Sequence, residues 1–302
     1  MRYGILSDIH GNLQALTAAL GFLVETMGVD RLVCLGDIVG YNADPDACAG
    51  LLAEARAECV TGNHDLVATS TLGFERCAIK PAFALGRTRQ AISEETRTFL
   101  RGLPARLVIE GDTVAVHGGV RDVCQYVTRD ADVLENEAFL RAEVPGARVC
   151  LFGHTHERRL WEIRAGHAGR RGEVESKDDI EVDLSAADRR YLINPGSVDA
   201  ARKQGDPRAE VAIWDTDRQR VSFHRVPYDA VTSERRAAEH GYRMGPVEER
   251  LFRFTRRLAR IPDRIARRRD TLRSPRCPNA PELGPPALAE RPAIASAKPS
   301  PS

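Results

Sequence analysis

The sequence predicts an α/β protein in which two mixed β-sheets pack face to face between outer helices, a four-layer α/β/β/α sandwich. Two observations lead to this prediction. The N-terminal third alternates short apolar runs with helical patterns, which is typical of a sheet covered by helices. After residue 102 the pattern changes to consecutive strand-like runs separated by turn signals, and these strands need a second sheet. With 302 residues, 42% of them hydrophobic, the chain is long enough to bury such a core.

Three runs rich in branched apolar residues predict the first strands, at residues 2–6, 31–35 and 58–61. Between the first two, apolar residues recur at helical spacing over residues 13–24. A second helix is expected over residues 45–57, because Pro45 suits a first helical turn and Asp44 can cap it. Residues 79–101 are predicted to form one long helix.

The rest of the chain is predicted to be rich in strands. The predicted strands lie at residues 106–110, 113–117, 148–152, 160–164, 191–194, 210–215 and 220–226. Turn signals between several of them, such as Glu110-Gly111-Asp112, indicate hairpins. Residues 165–190 are mostly polar and charged, so we interpret them as a surface insertion that is partly mobile.

The charge distribution divides the chain into parts. Residues 233–302 hold 16 Lys and Arg against 8 Asp and Glu, so this part is strongly basic while residues 1–232 are acidic. The asymmetry excludes a uniformly basic nucleic-acid coat protein. We predict a domain over residues 1–232, a basic amphipathic helical extension over residues 233–270 and a proline-rich, disordered tail over residues 271–302.

Several partners are open for the basic extension. It can pack as a helix on the domain or on another subunit, or it can contact nucleic acid or an anionic membrane surface. Within its amphipathic part, residues 247–269, only Phe252 and Phe254 are available for base stacking, which disfavours nucleic acid. No apolar run approaches the ~18 residues of a transmembrane helix, and the N-terminus lacks the pattern of a secretory signal. We therefore expect no transmembrane segment and a cytoplasmic protein.

Polar residues of a few chemical kinds follow the predicted strands. Carboxylates, imidazoles and one carboxamide stand at Asp8, His10, Asp37, Asn63, His64, His117, His154 and His156. Loops at strand ends are where α/β sheets place their functional sites. These ligand types suit Mn²⁺, Fe or Zn²⁺, and the lack of a cysteine within the motifs disfavours a structural zinc site.

The spacing of these residues predicts how they bind. In an extended segment alternate side chains point the same way, so we expect Asp8 and His10 to hold one ion. His154 and His156 would repeat that geometry from another strand. Asp37 has two carboxylate oxygens and can bridge two cations.

Six short motifs occur in order along the chain. They read SDIHGN at 7–12, GDIVG at 36–40, GNHD at 62–65, HGG at 117–119, GHTH at 153–156 and NPGS at 194–197. In this combination the sequence resembles the calcineurin-like metallophosphoesterase superfamily over about residues 1–228, and within it the small prokaryotic phosphodiesterase-like branch. The resemblance implies a fold of two mixed sheets flanked by helices, which agrees with the strand pattern.

The resemblance also implies residue roles. One metal ion would be held by Asp8, His10, Asp37 and His156, and the other by Asp37, Asn63, His117 and His154. His64 would face the phosphate and protonate or stabilise the leaving oxygen. The expected cofactors are two divalent metal ions, manganese first, with Fe, Zn, Ni or Mg as alternatives. A water bridging the two ions would be available as hydroxide near neutral pH.

The motifs also bear on the phosphate-ester substrate. Members of the family that act on phosphoproteins or diadenosine tetraphosphate carry arginines beside the second and third motifs, where this chain has Tyr41 and Thr61. We therefore expect a phosphodiesterase that acts on a small or nucleotide-like ester. The alternative is a phosphomonoesterase or protein phosphatase, with Arg121 or an arginine of residues 158–171 in the clamping role. A non-catalytic interaction scaffold on the same fold also stays open.

Overall fold

Two six-stranded mixed sheets form the framework of the structure, a computed structural model that describes residues 1–176, 178–199 and 206–259. In spatial order the first sheet contains β3 (Glu58–Cys59), β2 (Arg31–Cys34), β1 (Arg2–Leu6), β11 (Ala209–Asp215), β12 (Arg220–Val226) and β9 (Ile180–Asp183). The second sheet contains β4 (Arg106–Ile109), β5 (Thr113–Val116), β6 (Val149–Leu151), β10 (Arg190–Asn194), β7 (Arg159–Arg164) and β8 (His167–Arg170). The predicted fold class is confirmed.

Helices connect and cover these strands. They are α1 (Leu13–Gly21), α2 (Pro45–Glu54), α3 (Asn63–Ala68), α4 (Ile79–Ala91), α5 (Glu94–Arg101), α6 (Asp130–Glu143), α7 (Glu173–Ser176), α8 (Ala230–Glu239) and α9 (Pro246–Ala259). α1 continues into a π-helical turn at Phe22–Thr26, so the predicted helix over residues 13–24 is confirmed in its position. Among the helices of the described residues, none has the length and apolar character needed to cross a membrane.

Three apolar clusters show how the layers pack. Between the sheets, inward side chains of both sheets meet, including Tyr3 and Trp214 from the first and Tyr191 from the second. On the outer face of the first sheet, α1 and α2 pack through residues such as Leu16. On the outer face of the second sheet, α6 packs through residues such as Leu140. The order helix, sheet, sheet, helix follows from these contacts.

The strand directions determine where the loops emerge. β1, β2 and β3 run parallel, with Leu6 opposite Cys34 and Cys34 opposite Cys59. β5, β6 and β10 are also mutually parallel. The carboxyl ends of each parallel set lie at one edge of its sheet, and residues that follow these strands can therefore converge.

Two helix predictions need correction. The single helix predicted over residues 79–101 is wrong, because the chain breaks at Ser93 between α4 and α5. Ser93 Oγ accepts a hydrogen bond from the Thr96 backbone N–H at 3.1 Å and caps α5. Asp44 does occupy the N-cap position of α2, but its side chain makes no capping bond. Its Oδ2 instead accepts a bond from Arg236 Nε at 2.9 Å.

The polar segment at residues 165–190 holds more regular structure than its composition predicts. It contains β8, α7 and β9. β8 is an edge strand of the second sheet, and β9 is an edge strand of the first. Each strand lies at a sheet edge, where one face stays exposed and few apolar residues are needed. Val174, Val182 and Leu184 supply the buried apolar side chains of the segment. The predicted partial mobility of this segment stays a prediction, and α6 was not predicted.

The C-terminal part is described as far as residue 259. The predicted boundary between residues 232 and 233 falls within α8, and the division into domain and extension stays a prediction. α9 lies within the amphipathic helical extension predicted over residues 233–270. The rest of that extension and the proline-rich tail at residues 271–302 lie outside the described residues.

Candidate metal centre

The eight polar residues predicted from the motifs lie together at the carboxyl ends of the parallel strands. The loops of the first sheet contribute Asp8, His10 and Asp37, and the first turn of α3, which follows β3, contributes Asn63 and His64. The loops of the second sheet contribute His117, His154 and His156. Backbone bonds tie the loops together, since His10 N donates to the Asp37 carbonyl at 2.9 Å. Across the two sheets, His154 N donates to Asp8 Oδ2 at 3.1 Å. The cluster therefore lies at the junction of both sheets.

Five of these residues have a left-handed backbone conformation. Asp8, His10, Asp37, His154 and His156 have φ angles between 53° and 64°. Residues with a Cβ rarely adopt this conformation, because the Cβ crowds the following carbonyl. The extended geometry that we expected for the Asp-x-His and His-x-His segments is therefore wrong. Positive φ at both ends of each segment aims the side chains instead, and such strain concentrates at functional sites.

The carboxylate of Asp37 lies at the centre of the cluster. Its Oδ2 is 3.4 Å from His117 Nε2 and 3.9 Å from both His10 Nε2 and His64 Nε2. Asn63 Oδ1 lies 3.1 Å from the same His117 nitrogen. One carboxylate oxygen thus faces ring nitrogens from both sheets, which suits a ligand shared between two ions.

A second group of donors surrounds His10. His10 Nε2 and His156 Nε2 are 3.0 Å apart, and His156 Nε2 is 3.2 Å from Asp8 Oδ1. Two neutral imidazole nitrogens at this distance can share one proton, but a cation can accept the lone pairs of both. The arrangement therefore favours a positive ion among the three side chains.

The donor set fits divalent metal ions. Within the described residues, three groups of donors each have atoms within 4.8 Å of one another: Asp8, His10 and His156; Asp37, His117 and His154; and His10, Asp37 and His64. The buried Nε2 of His154 has no hydrogen-bond partner among the described residues. A buried polar atom normally has a partner, and a metal ion would supply one.

These groups agree in large part with the predicted ligand sets. The first two groups correspond to the two half-sites that the motifs imply. The third group contains His64, which was predicted to be a general acid. Its donor atom lies within 4.8 Å of those of Asp37 and His10, which is as close as the expected ligands lie to one another. Asn63 joins the second group through its contact with His117. The assignment of each residue to an ion or to proton transfer stays a prediction.

The surroundings set the protonation of the imidazoles. Burial lowers the pKa of His154 to about 3, and burial together with the neighbouring His64 lowers the pKa of His10 well below its usual value. Both rings are therefore neutral near pH 7 and can donate lone pairs to a metal. Burial also opposes the charged form of His117, but the Asp37 carboxylate outweighs it and raises the pKa of His117 to about 9. A bound cation would displace that proton.

Asp65 is a supporting residue that the sequence analysis missed. Its carboxylate accepts hydrogen bonds from Gly62 N at 2.9 Å and from Val39 N at 3.2 Å. Burial, followed by the charge of Asp37, raises the pKa of Asp65 to about 7. Asp65 thus fixes the first turn of α3, which carries the carboxamide of Asn63. An acidic residue at the third position of a short helix was the available signal.

The loop at residues 194–197 supports the metal-binding loops. Asn194 Nδ2 donates to the Gly153 carbonyl at 2.8 Å and to Thr155 Oγ1 at 3.0 Å. Ser197 Oγ donates to the Asp8 carbonyl at 3.0 Å. These bonds hold loops from both sheets beside the donor cluster.

A cleft opens beside the cluster, with an empty volume of about 950 Å³ that includes space open to solvent. Its polar end is formed by Asp37, Asn63, His64, His154 and His156. The remaining lining residues come from Tyr41, from loops at residues 72–78 and 124–126, and from nearby helices. The sequence analysis did not identify Arg76 or Tyr126, because no motif marks them.

The arginines considered as replacement phosphate clamps lie elsewhere. Arg121 Nε donates to Glu143 Oε1 at 2.6 Å. Neither Arg121 nor a described arginine of residues 158–171 lines the cleft. Among the described lining residues, Arg76 is the only Arg or Lys. The positive charge available to a substrate phosphate from side chains is therefore small.

The two-sheet fold and the buried donor cluster define the class of this protein, a metal-dependent phosphoesterase. The family model described as the calcineurin-like phosphoesterase superfamily domain matches residues 1–219, and the chain belongs to this family. A metallophosphoesterase from Sphaerobacter thermophilus is 33% identical, with a TM-score of 0.62. That match covers 80% of this chain and 94% of the other.

Two further similarities are consistent with this family. The protein MJ0912 of Methanocaldococcus jannaschii is 29% identical over 232 residues, which cover 74% of this chain and 87% of that protein. The structure of PH1004 from Pyrococcus horikoshii OT3 has a TM-score of 0.58 at 19% identity, and it covers 80% of this chain and 94% of the other. The latter similarity shows the fold alone.

Proposed function

We propose that this phosphoesterase is a phosphodiesterase that uses two divalent metal ions, with manganese as the preferred ion. The observation that carries the proposal is the position of Asp37. Its Oδ2 is 3.4 Å from His117 Nε2 and 3.9 Å from His10 Nε2, and these two histidines belong to different donor groups. A carboxylate between two groups of donors supports a shared ligand.

The chain would hold the ions in two half-sites. The first consists of Asp8, His10, Asp37 and His156, and the second of Asp37, Asn63, His117 and His154. When bound, the two ions supply a water nucleophile at neutral pH and positive charge for the phosphoryl oxygens. Burial alone would raise the pKa of Asp8 and of Asp37. The adjacent histidines together have a larger opposite effect, so the pKa of each carboxyl is lowered and both stay ionised.

His64 is suited to protonate the leaving oxygen. Its ring lines the cleft beside the donor groups. The backbone N–H of His64 donates to Asp37 Oδ1 at 2.8 Å, which fixes the residue relative to the centre of the cluster. Imidazole is the side chain most often used for general acid catalysis. We therefore assign His64 to proton donation.

The charge of the cleft supports a diester substrate. Arg76 is the only Arg or Lys among the described lining residues, and Tyr41 and Thr61 stand where family members that act on phosphoproteins or diadenosine tetraphosphate carry arginines. A phosphomonoester dianion has one more negative charge than a diester and benefits from bidentate arginine contacts. A diester monoanion needs less compensation.

Two chromogenic esters test the choice between diester and monoester. With Mn²⁺ added to metal-free protein, we expect bis(p-nitrophenyl) phosphate to be hydrolysed faster than p-nitrophenyl phosphate. Faster hydrolysis of the monoester would identify a phosphomonoesterase instead. Hydrolysis of neither ester with any divalent ion would favour the non-catalytic scaffold.

Substitution of His64 tests its assigned role. His64→Ala should keep the bound metal and lower turnover of an alkyl diester by about 10²–10⁴-fold. The loss should be much smaller for a p-nitrophenyl ester, whose leaving group needs no proton. Equal losses for both esters would contradict proton donation, and loss of metal would show that His64 is a ligand.

A further inference from the structure

An exposed aromatic side chain borders the metal centre. Tyr126, in the loop before α6, is 60% exposed. Its ring centroid lies 4.1 Å from that of His154, one of the donors from the second sheet. This contact fixes the ring beside the donor cluster while leaving much of its surface open to a ligand.

A second tyrosine contacts the donors of the first sheet. The ring centroid of Tyr41 lies 4.5 Å from that of His10 and 4.9 Å from that of His64. The backbone carbonyl of Tyr41 accepts a hydrogen bond from Arg243 Nη1 at 2.9 Å, which holds its loop in place. One tyrosine ring therefore contacts donors of the first sheet, and the other contacts a donor of the second sheet.

The cleft beside these rings has both apolar and polar surface. Its apolar lining includes Val67, Leu72, Ala78, Pro81 and Cys124. Away from Asp37 and the other metal-side donors, two charged residues, Glu75 and Arg76, line the same cleft. Arg76 is held by Asp122, whose Oδ2 accepts from Arg76 Nη1 at 3.0 Å, and by the Cys124 carbonyl at 3.3 Å. Away from the metal-side donors, the cleft therefore combines aromatic faces and apolar surface with one anchored arginine and one carboxylate.

We propose that this cleft binds a nucleobase of the substrate, stacked on Tyr126, and that the substrate is a nucleotide diester. The inference rests on the proposed phosphodiesterase function and specifies its substrate class. Aromatic side chains stack on the π-face of any base. Glu75 accepts hydrogen bonds and Arg76 donates them, so the polar edge of a base finds partners of both kinds in the cleft.

The same residues disfavour an acyl chain as the occupant. A hydrocarbon chain would cover Glu75 and Arg76 without hydrogen-bonding to either, and desolvation of charged groups is costly. A base instead offers donors and acceptors on its edge and a flat apolar face for Tyr126. Glu75 and Arg76 therefore favour a base over an acyl chain in this cleft.

Two matched diesters test the proposal. The first is thymidylyl-thymidine, and the second is the same diester with hydrogen in place of both bases, so the scissile P–O bond and the type of leaving oxygen are the same. We expect kcat/KM to be at least about 5-fold higher for the base-bearing diester. Tyr126→Ala should bring the ratio of kcat/KM for the two diesters close to 1, whereas Tyr126→Phe should keep the preference.

Phe254→Ala serves as the matched control. Phe254 is also 60% exposed, but it lies on α9 and does not line the cleft. This variant should behave as the wild type with both diesters. Retained turnover of the abasic diester by Tyr126→Ala shows that the variant is folded.

The outcomes separate the two proposals. Equal rates for the two dinucleotides in the wild type, or an unchanged preference in Tyr126→Ala, would overturn the nucleobase site. Hydrolysis of bis(p-nitrophenyl) phosphate with no cleavage of thymidylyl-thymidine would also overturn it, while the phosphodiesterase function would stand. No hydrolysis of any diester would overturn the proposed function itself.

Discussion

The two sides of the cleft are built in different ways. On the metal side, the donors follow parallel strands of both sheets, most of them are buried, and hydrogen bonds between loops hold them. On the other side, Tyr126 and residues 72–78 lie in loops and near helix ends, and the tyrosine is largely exposed. The first side is fixed by the framework of the sheets, whereas the second depends on local side-chain contacts.

This difference separates reaction chemistry from substrate selection. Metal ligands must lie about 2 Å from an ion in a defined geometry, so the backbone that carries them tolerates little movement. A stacking surface needs only a flat apolar face at a suitable distance. Substitutions on the metal side should therefore change turnover, and those on the other side should change substrate preference.

The largest effect is expected for Asp37→Asn, which removes negative charge from the centre of the cluster. Bound manganese should fall from two ions to one or none, as measured by elemental analysis of the purified protein. Diesterase activity should fall by more than about 10³-fold, since one electrostatic group alone is often worth about 10²–10³-fold. Asp217→Asn, at an exposed aspartate, is the control and should bind two ions. Retention of both ions by Asp37→Asn would contradict the shared ligand.

A smaller effect is expected for Gly40→Ala, which tests how rigid the metal side is. Gly40 has φ of 148°, and a Cβ there would lie 2.5 Å from His64 Nδ1 and 2.9 Å from His10 Nδ1. The rings must shift, and a displacement of about 1 Å can cost about 10²-fold in rate. Activity at saturating Mn²⁺ is the measurement, and unchanged activity would show that the cluster tolerates displacement.

Gly86→Ala is the matched control for this substitution. Gly86 lies in α4, and apart from its neighbours and the backbone of its own helix no atom of the described residues is within 4 Å of the position of an added Cβ. The variant should keep full activity, and its free energy of unfolding should rise by about 0.4–1 kcal/mol, because alanine restricts the unfolded chain. Thermal or urea unfolding gives this value.

The smallest effect is expected for Arg243→Ala, which tests the support of the other side of the cleft. Arg243 donates to the Tyr41 carbonyl at 2.9 Å and to Asn42 Oδ1 at 3.0 Å. Loss of these bonds should raise the KM for a diester by about 2- to 10-fold, with kcat and bound metal unchanged. Arg253→Ala, whose guanidinium pairs with Glu249 within α9, is the control. Loss of metal from Arg243→Ala would show that the two sides are not independent.

The sequence predicted the metal side because its signals are local. Each donor stands in a short motif directly after a strand, and buried strands appear as apolar runs. The left-handed backbone at Asp8 and His10 was not predicted, because residue spacing does not specify φ. The edge strands β8 and β9 were missed for another reason, since a strand with one exposed face needs few apolar residues.

The other side of the cleft could not be predicted in the same way. Tyr41, Arg76 and Tyr126 are distant in sequence and stand in no shared pattern. Only the folded loops bring them to one cleft. The break at Ser93, which separates α4 from α5, was likewise hidden by a continuous helical pattern.

Anomalous diffraction from a crystal grown with Mn²⁺ tests the central proposal most directly. We expect two anomalous peaks at the junction of the sheets, with the Asp37 carboxylate bound to both ions. Asp8, His10 and His156 should complete one coordination sphere, and Asn63, His117 and His154 the other. A single peak, or two ions that do not share Asp37, would contradict the dinuclear centre.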